Sequence, residues 1–197
     1  YTAAEDGFVN TWYDQSGNGN DATAPADDNE PKIVNAGSLV NNGKSFSGAN
    51  LEMLTLSSNL TLSNEFSLFY KSDFSARSVV LGPLSGTEPR LEHVATSRVR
   101  LAAGGNADFD TSVSAWSDSV FTLIKDSSDD ITLFENGTSK ETINKPTPTD
   151  YTFRRIFSFG GSATARLRGE FSELVIYNSD QSANRTDIES NITSYYS

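Results

Sequence analysis

The chain predicts an all-β fold, an antiparallel two-sheet sandwich with one short C-terminal helix. Three observations point there. Aromatic and β-branched residues gather in short runs of strand length. Turn-forming residues recur between those runs at close spacing. Only one segment, near the end, carries helical periodicity. A chain of 197 residues is expected to form one domain over 1–197, large enough to bury a core without staples.

The runs justify the strands in turn. Glu65-Phe66-Ser67-Leu68-Phe69-Tyr70 alternates at period two. So does Ser119-Val120-Phe121-Thr122-Leu123-Ile124. Both faces of each run are largely apolar, as in a strand buried between layers. Thr152 to Phe159 and Glu170 to Tyr177 read as long strands. In the second, strict alternation places Leu174 and Ile176 on one face and Phe171, Val175 and Tyr177 on the other. Asn136-Gly137, between Ile131–Glu135 and Ser139–Ile143, is a type I′ hairpin signal, and Asn42-Gly43 before Lys44-Ser45-Phe46 is a second. Ala24–Pro31 and Asn144–Asp150 read as loops, because their prolines block strand ladders. The helix starts after Ser182, a suitable cap. Ile188, Ile192, Tyr195 and Tyr196 fall on one of its faces.

Composition narrows the function. There is no cysteine, hence no disulfide framework and no thiolate metal site. His93 is the only histidine; it is expected on a strand surface, and metal catalysis through histidines is excluded by count. No apolar run approaches the length of a membrane span. Net charge is −11, from 15 basic and 26 acidic side chains, which disfavours a nucleic-acid partner. Tyr1 is not an initiator residue, so the chain is expected to belong to something longer.

Trp12-Tyr13-Asp14-Gln15-Ser16-Gly17-Asn18-Gly19-Asn20-Asp21 is the densest motif. It holds almost nothing to bury and concentrates oxygen donors. Asp14, Asn18, Asn20 and Asp21 are candidate Ca²⁺ ligands; the same residues suit a lattice of Asx-turns bonding their own backbone. Asp27, Asp28 and Glu30 form a second acidic group that could lend a ligand. Asp126-Ser-Ser-Asp129-Asp130 reads as a polar hairpin. Asp108, Asp110 and Trp116 are candidate glycan contacts, since a carboxylate accepts hydroxyl hydrogen bonds and an indole stacks on sugar C–H faces. Arg98 and Arg100 alternate on one strand, and Arg154, Arg155, Arg166 and Arg168 cluster later. They either pair with acids across strands or make a patch for an anionic sugar.

Three motifs carry a resemblance. The opening Asp14-Gln15-Ser16-Gly17-Asn18-Gly19-Asn20 run, the Phe121–Ile124 and Ile131–Gly137 pair, and Gly169–Tyr177 with its following helix are similar to concanavalin A-like, laminin G-like jelly-roll domains. The form with Trp-Tyr-Asp-Gln resembles modules of bacteriophage structural proteins and large bacterial surface proteins. It is also similar to arabinofuranosidase B-type catalytic domains. The resemblance implies a jelly roll whose first strand, Phe8 to Trp12, runs near its last, Glu173 to Tyr177, with both chain ends close together.

Two functions follow as expectations. One is a non-catalytic module, exposed on a virion or bacterial cell surface, that serves adhesion or decoration within a larger assembly and takes a glycan as ligand. The alternative is a glycoside hydrolase related to arabinofuranosidases, although no catalytic carboxylates can be mapped from that resemblance. A cleft with two close carboxylates, one desolvated, would mark the enzyme. A shallow or filled face would mark the module.

Overall fold

The computed structural model describes residues 5–49, 51–109, 117–146, 148, 150–160 and 166–197. Its strands are β1 (Gly7–Phe8), β2 (Thr11–Trp12), β3 (Ala22–Thr23), β4 (Lys32–Asn35), β5 (Ser38–Leu39), β6 (Phe46–Ala49), β7 (Leu54–Leu62), β8 (Phe66–Phe74) and β9 (Ser78–Gly82). They continue as β10 (Arg90–Ala95), β11 (Arg98–Ala102), β12 (Asn106–Phe109), β13 (Ser119–Lys125), β14 (Asp130–Glu135), β15 (Thr138–Asn144), β16 (Tyr151–Ile156) and β17 (Arg168–Tyr177), followed by helix α1 (Arg185–Tyr196).

Two antiparallel sheets form. The first runs β1-β4-β6-β17-β8-β13-β14-β15, with β5 hydrogen-bonded to β4. The second runs β12-β11-β10-β9-β16-β7-β3-β2. β8 and β13 lie in the middle of the first sheet, and every residue of β13 is buried, as its two apolar faces predict. β1 and β2 pair with β4 and β3 and do not neighbour β17, whose partners are β6 and β8. The expected adjacency of the first and last strands is therefore corrected: β4 and β6 stand between them.

The core fills the space between the sheets. Phe66, Leu68, Tyr70 and Phe74 of β8 and Phe121 and Leu123 of β13 meet Leu54, Leu81, Leu91, Val99, Leu101, Phe109 and Phe153 of the second sheet. His93 lies in this layer, fully buried, not on the strand surface. Tyr70 Oη and His93 Nε2 are 2.8 Å apart, and the imidazole stands edge-on to Phe74 and Phe121. The hydroxyl gives the buried ring nitrogen a polar partner across the two sheets.

A β-bulge decides the face pattern of β17. Its register to β8 runs Phe171↔Ser72 and then Glu173↔Lys71, so Ser172 is the extra residue. One inserted residue flips everything after it. Phe171 therefore joins Leu174 and Ile176 in the core, while Val175 and Tyr177 face outward. The simple alternation had Phe171 on the other side. Inside, Phe171 meets Trp12, Tyr70, Phe74 and Phe157.

Turns largely follow their residues. Asn136 and Gly137 both take positive φ and close the β14–β15 hairpin. Asn42-Gly43 is no hairpin. Asn41, Asn42 and Gly43 are successively left-handed in a tight 3-10 turn, and the neighbouring hairpin closes at Ala36-Gly37.

Helix α1 covers part of the outer face of the first sheet. Ile192 is buried on Phe69 and Val120, with Val175, Ile188 and Tyr196 around them. Glu189 accepts from Thr122 Oγ1 at 2.7 Å. Tyr195 is 60% exposed and leaves the predicted apolar face. Ser182 is not the cap: Asn184 occupies that position without a side-chain capping bond, its amide donating instead to Gln181 Oε1, and Ser182 donates its N–H and hydroxyl to Asp180.

Phe171 supplies the test of the bulge. Phe171→Ala is expected to destabilise by about 3–5 kcal/mol, read as a lower urea midpoint. A loss under about 1 kcal/mol would mean that Phe171 is not a core residue.

Candidate functional site

The opening loop is a hydrogen-bonded lattice. Asp14 Oδ1 accepts the Ser16 N–H at 2.8 Å. Its Oδ2 accepts the Ser16 hydroxyl at 2.9 Å and the Asn20 N–H at 3.0 Å. Asp21 Oδ1 in turn accepts the Asp14 N–H at 2.9 Å. Gly17 and Gly19, both at positive φ, bend the backbone inward. These bonds, led by the Asn20 N–H, hold the Asp14 carboxyl below its ordinary 3.8. Asn20 Oδ1 accepts from Ser58, and Asn18 offers its N–H to Ser16 Oγ at 3.2 Å. Both Asp14 oxygens, Asp21 Oδ1 and Asn20 Oδ1 are thus directed at N–H and O–H donors. Among the described residues, no group of three or more acidic, histidine or cysteine side chains is placed to hold a metal. Asp27 and Asp28 open a 3-10 turn, and Glu30 accepts from Asn10 at 2.8 Å.

The outer face of the second sheet carries a guanidinium network. On β10, Leu91 and His93 point into the core, so Glu92 points out; it is nonetheless fully buried, under arginines. Arg77 Nη2 lies 2.6 Å from Glu92 Oε2, Arg90 Nε 2.7 Å from Oε1 and Arg100 Nη1 3.7 Å from Oε1. The β11–β12 register sets Arg100 opposite Asp108. Both Asp108 oxygens accept from Arg100, Nη2 at 2.9 Å and Nε to the other. That bond, reinforced by Arg98 and Arg90, holds the Asp108 carboxyl below its ordinary value. Asp108, expected to receive sugar hydroxyls, is thus committed to an arginine, because the strand register brings the two together. Asp110 and Trp116 lie outside the described residues.

The network extends along the face. Arg90 lies over the Phe159 ring at 5.1 Å. Arg155, outward on β16, is lowered from its usual value by burial and then by nearby Arg166. Cross-strand pairing of arginines with acids is thus observed on this face. Arg168 sits apart, on β17 in the other sheet.

A second site lies on the outer face of the first sheet, at the C-terminal end of α1. Asn41, Ser45, Asp73, Asp118, Glu170 and Ser172 line a polar cavity of about 240 Å³. Register places Glu170 directly opposite Asp73. Gly169 permits this close approach, since a Cβ there would meet the Asp73 carbonyl oxygen at 2.3 Å. Lys71 pairs with Asp118. Burial raises the Glu170 carboxyl, and the negative charges of Asp73 and Asp118 raise it further. These acids come from β8, the loop before β13 and β17, and no spacing in the sequence announces them.

No family model matches the chain, and no curated protein does. Solved structures do match. A variant of GH54 α-L-arabinofuranosidase soaked with 4-nitrophenyl α-L-arabinofuranoside has a TM-score of 0.68 at 13% identity, covering 94% of this chain and 50% of that one. The fold is concanavalin A-like. The botulinum neurotoxin serotype G binding domain matches with a TM-score of 0.55 at 12% identity, over 93% of this chain and 47% of that one. The binding domain of Paraclostridial Mosquitocidal Protein 1 matches at 0.53 and 11% identity, over 98% and 48%. The chain spans about half the length of each of these structures. At such identities the concanavalin A-like likeness is one of fold alone, and that fold hosts enzymes and binding domains alike.

Two predictions follow from these groups. Wild-type melting should be the same in calcium and in chelator, whereas Asp14→Ala should lower stability in both by about 1 kcal/mol. A calcium-dependent rise abolished by that substitution would establish a cation site instead. The second concerns pH. Glu170 and Glu173 are raised above 4.5, both chiefly by burial. A raised carboxyl contributes stability that is present below its unfolded value and is lost as pH rises through the folded one. Asp6 (through the Ala36 N–H and Lys32), Asp14 and Asp108 are lowered from 3.8. They contribute stability above that value, lost as pH falls through theirs. Urea midpoints should therefore rise from pH 7 to about pH 5 and fall below about pH 3.5. Glu170→Gln with Glu173→Gln should flatten the first limb.

Proposed function

We propose that this chain is a non-catalytic binding module that takes a glycan on the outer face of its second sheet. One observation carries the reading: that face presents arginine side chains, while its two described carboxylates, Glu92 and Asp108, are both held by them. Asp108, held below its ordinary value, is ill suited to donate a proton at neutral pH. The fold supports the reading in a general way, since binding domains occur among the similar structures. In this reading the module is displayed on a virion or bacterial cell surface, as part of a larger assembly, in adhesion or decoration.

A second reading has its own observation. The Asp73–Asp118–Glu170 cavity joins a desolvated, raised carboxyl to two further carboxyls, the arrangement a glycosidase needs for an acid and its partner. At about 240 Å³ it is smaller than most small-molecule sites, and Asp118 is already paired with Lys71. Assays on arabinoside, xyloside and β-glucan substrates separate the two readings. The module predicts no turnover above background. Turnover abolished by Glu170→Gln, in a variant that melts like the wild type, would establish the hydrolase.

A further inference from the structure

We infer that the end of α1 is fastened by a proton relay, in which a protonated Glu173 donates to the Tyr196 hydroxyl and Tyr196 donates to the Ser172 carbonyl. The helix is then held more firmly below the titration of Glu173 than above it. Tyr196 Oη lies 2.9 Å from the Ser172 carbonyl oxygen, to which it donates. A carbonyl oxygen only accepts, and a hydroxyl has one proton. The same hydroxyl shares a hydrogen bond with the Glu173 side chain. With its proton committed to Ser172, Tyr196 can only accept there, and a carboxyl donates only when protonated. The bulge builds the arrangement. Ser172 is the extra residue of β17, and such a residue is left out of the ladder, so its carbonyl is available to the helix. Glu173 follows and turns outward, as Val175 and Tyr177 do.

Among the described residues, the cations around the helix end are committed elsewhere. Register sets Lys71 of β8 opposite Glu173, but its ammonium pairs with Asp118, from the loop before β13. Lys44, just past the 3-10 turn, donates to the Tyr195 carbonyl and lies over the Tyr195 ring. The other charged groups on this part of the face are acids, Asp73 on β8 and Glu170 on β17. Burial raises the Glu173 carboxyl, and a Tyr196 proton turned toward it would lower it. Burial and the neighbouring Glu173 hold the Tyr196 hydroxyl above its ordinary 10.0, so Tyr196 keeps its proton while Glu173 titrates. When Glu173 ionises, that one proton has two claimants, the carboxylate and the Ser172 carbonyl. The charged acceptor is the stronger, so the hydroxyl turns to Glu173 and its bond to the bulge is lost. The new carboxylate also faces the negative end of the helix dipole.

The test is amide hydrogen exchange of α1 at about pH 5 and about pH 7.5, each rate divided by its intrinsic value at that pH. Protection of the last turn is expected to fall at least about threefold between the two, since each unit by which Glu173 differs between the fastened and released helix is tenfold in the opening constant. Glu173→Gln, always neutral and able to donate its amide N–H to Tyr196, should stay protected at both values. Glu170→Gln, which neutralises the neighbouring acid, should keep the wild-type dependence. Tyr196→Phe should lower protection at pH 5 at least about threefold. Unchanged protection of β13 shows that each variant is folded. Carboxyl-carbon NMR follows Glu173 in the wild type directly, with a midpoint expected above the ordinary 4.5. Wild-type protection equal at both pH values, or a dependence that survives Glu173→Gln and vanishes in Glu170→Gln, would overturn the inference. So would full protection in Tyr196→Phe, or a Glu173 midpoint at or below 4.5.

Discussion

The extra residue at Ser172 governs the architecture on both sides of the first sheet. Without it, Phe171 and Val175 would share a face, and either the core would lose an aromatic or the helix would lose its bed. With it, Phe171 turns inward to Trp12 and Tyr70, and Val175 turns outward beneath α1. The bulge also anchors what lies above. The Ser172 carbonyl accepts the Tyr196 hydroxyl at 2.9 Å, and its side chain meets Ser45 at 2.9 Å. The acidic cavity opens at this point, where the strand bends away from regular pairing.

The same bulge shows where sequence reasoning stops. Strands β8, β13, β14 and β17 and the Asn136-Gly137 hairpin are legible because apolar alternation and left-handed turn residues are local properties. Alternation alone puts Phe171 on the wrong face because a bulge has no residue signature here; Ser172 is an ordinary strand residue. The burial of His93 escapes the sequence for a related reason. A histidine is buried when another element brings it a partner, and Tyr70 is 23 residues away on the opposite sheet. Ser182 looked like a cap, but Asp180 takes both of its donors first.

The candidate sites divide along the same line. The part of the lattice around Asp14 is legible, since Asp14's own partners lie within seven residues. Arg98 and Arg100 announce a charged strand face by alternation alone. Arg77 and Arg90 join them only through the β9–β10–β11 order, and Asp73, Asp118 and Glu170 meet only through the β8–β17 register. The sandwich thereby sorts its ionisable groups. The outer face of one sheet gathers the carboxyls of Asp73, Asp118 and Glu170, the last raised by burial, and the outer face of the other gathers guanidiniums. With a core between them, the two sets do not neutralise each other.

Helix α1 sets the order in which the molecule comes apart. A single helix of 12 residues is marginal by itself, and its first turn has no side-chain cap. What holds it is Ile192 in its apolar seat, Glu189 on Thr122, and the Tyr196 and Lys44 bonds near its end. None of these reaches the space between the sheets. The helix is therefore a latch that opens as a unit of its own, below the free energy of global unfolding. Its release uncovers Phe69, Val120 and Val175 as one apolar strip on an otherwise intact sandwich. Amide protons of α1 would exchange ahead of those in β8 and β13, and the first sticky state of this molecule is a folded one.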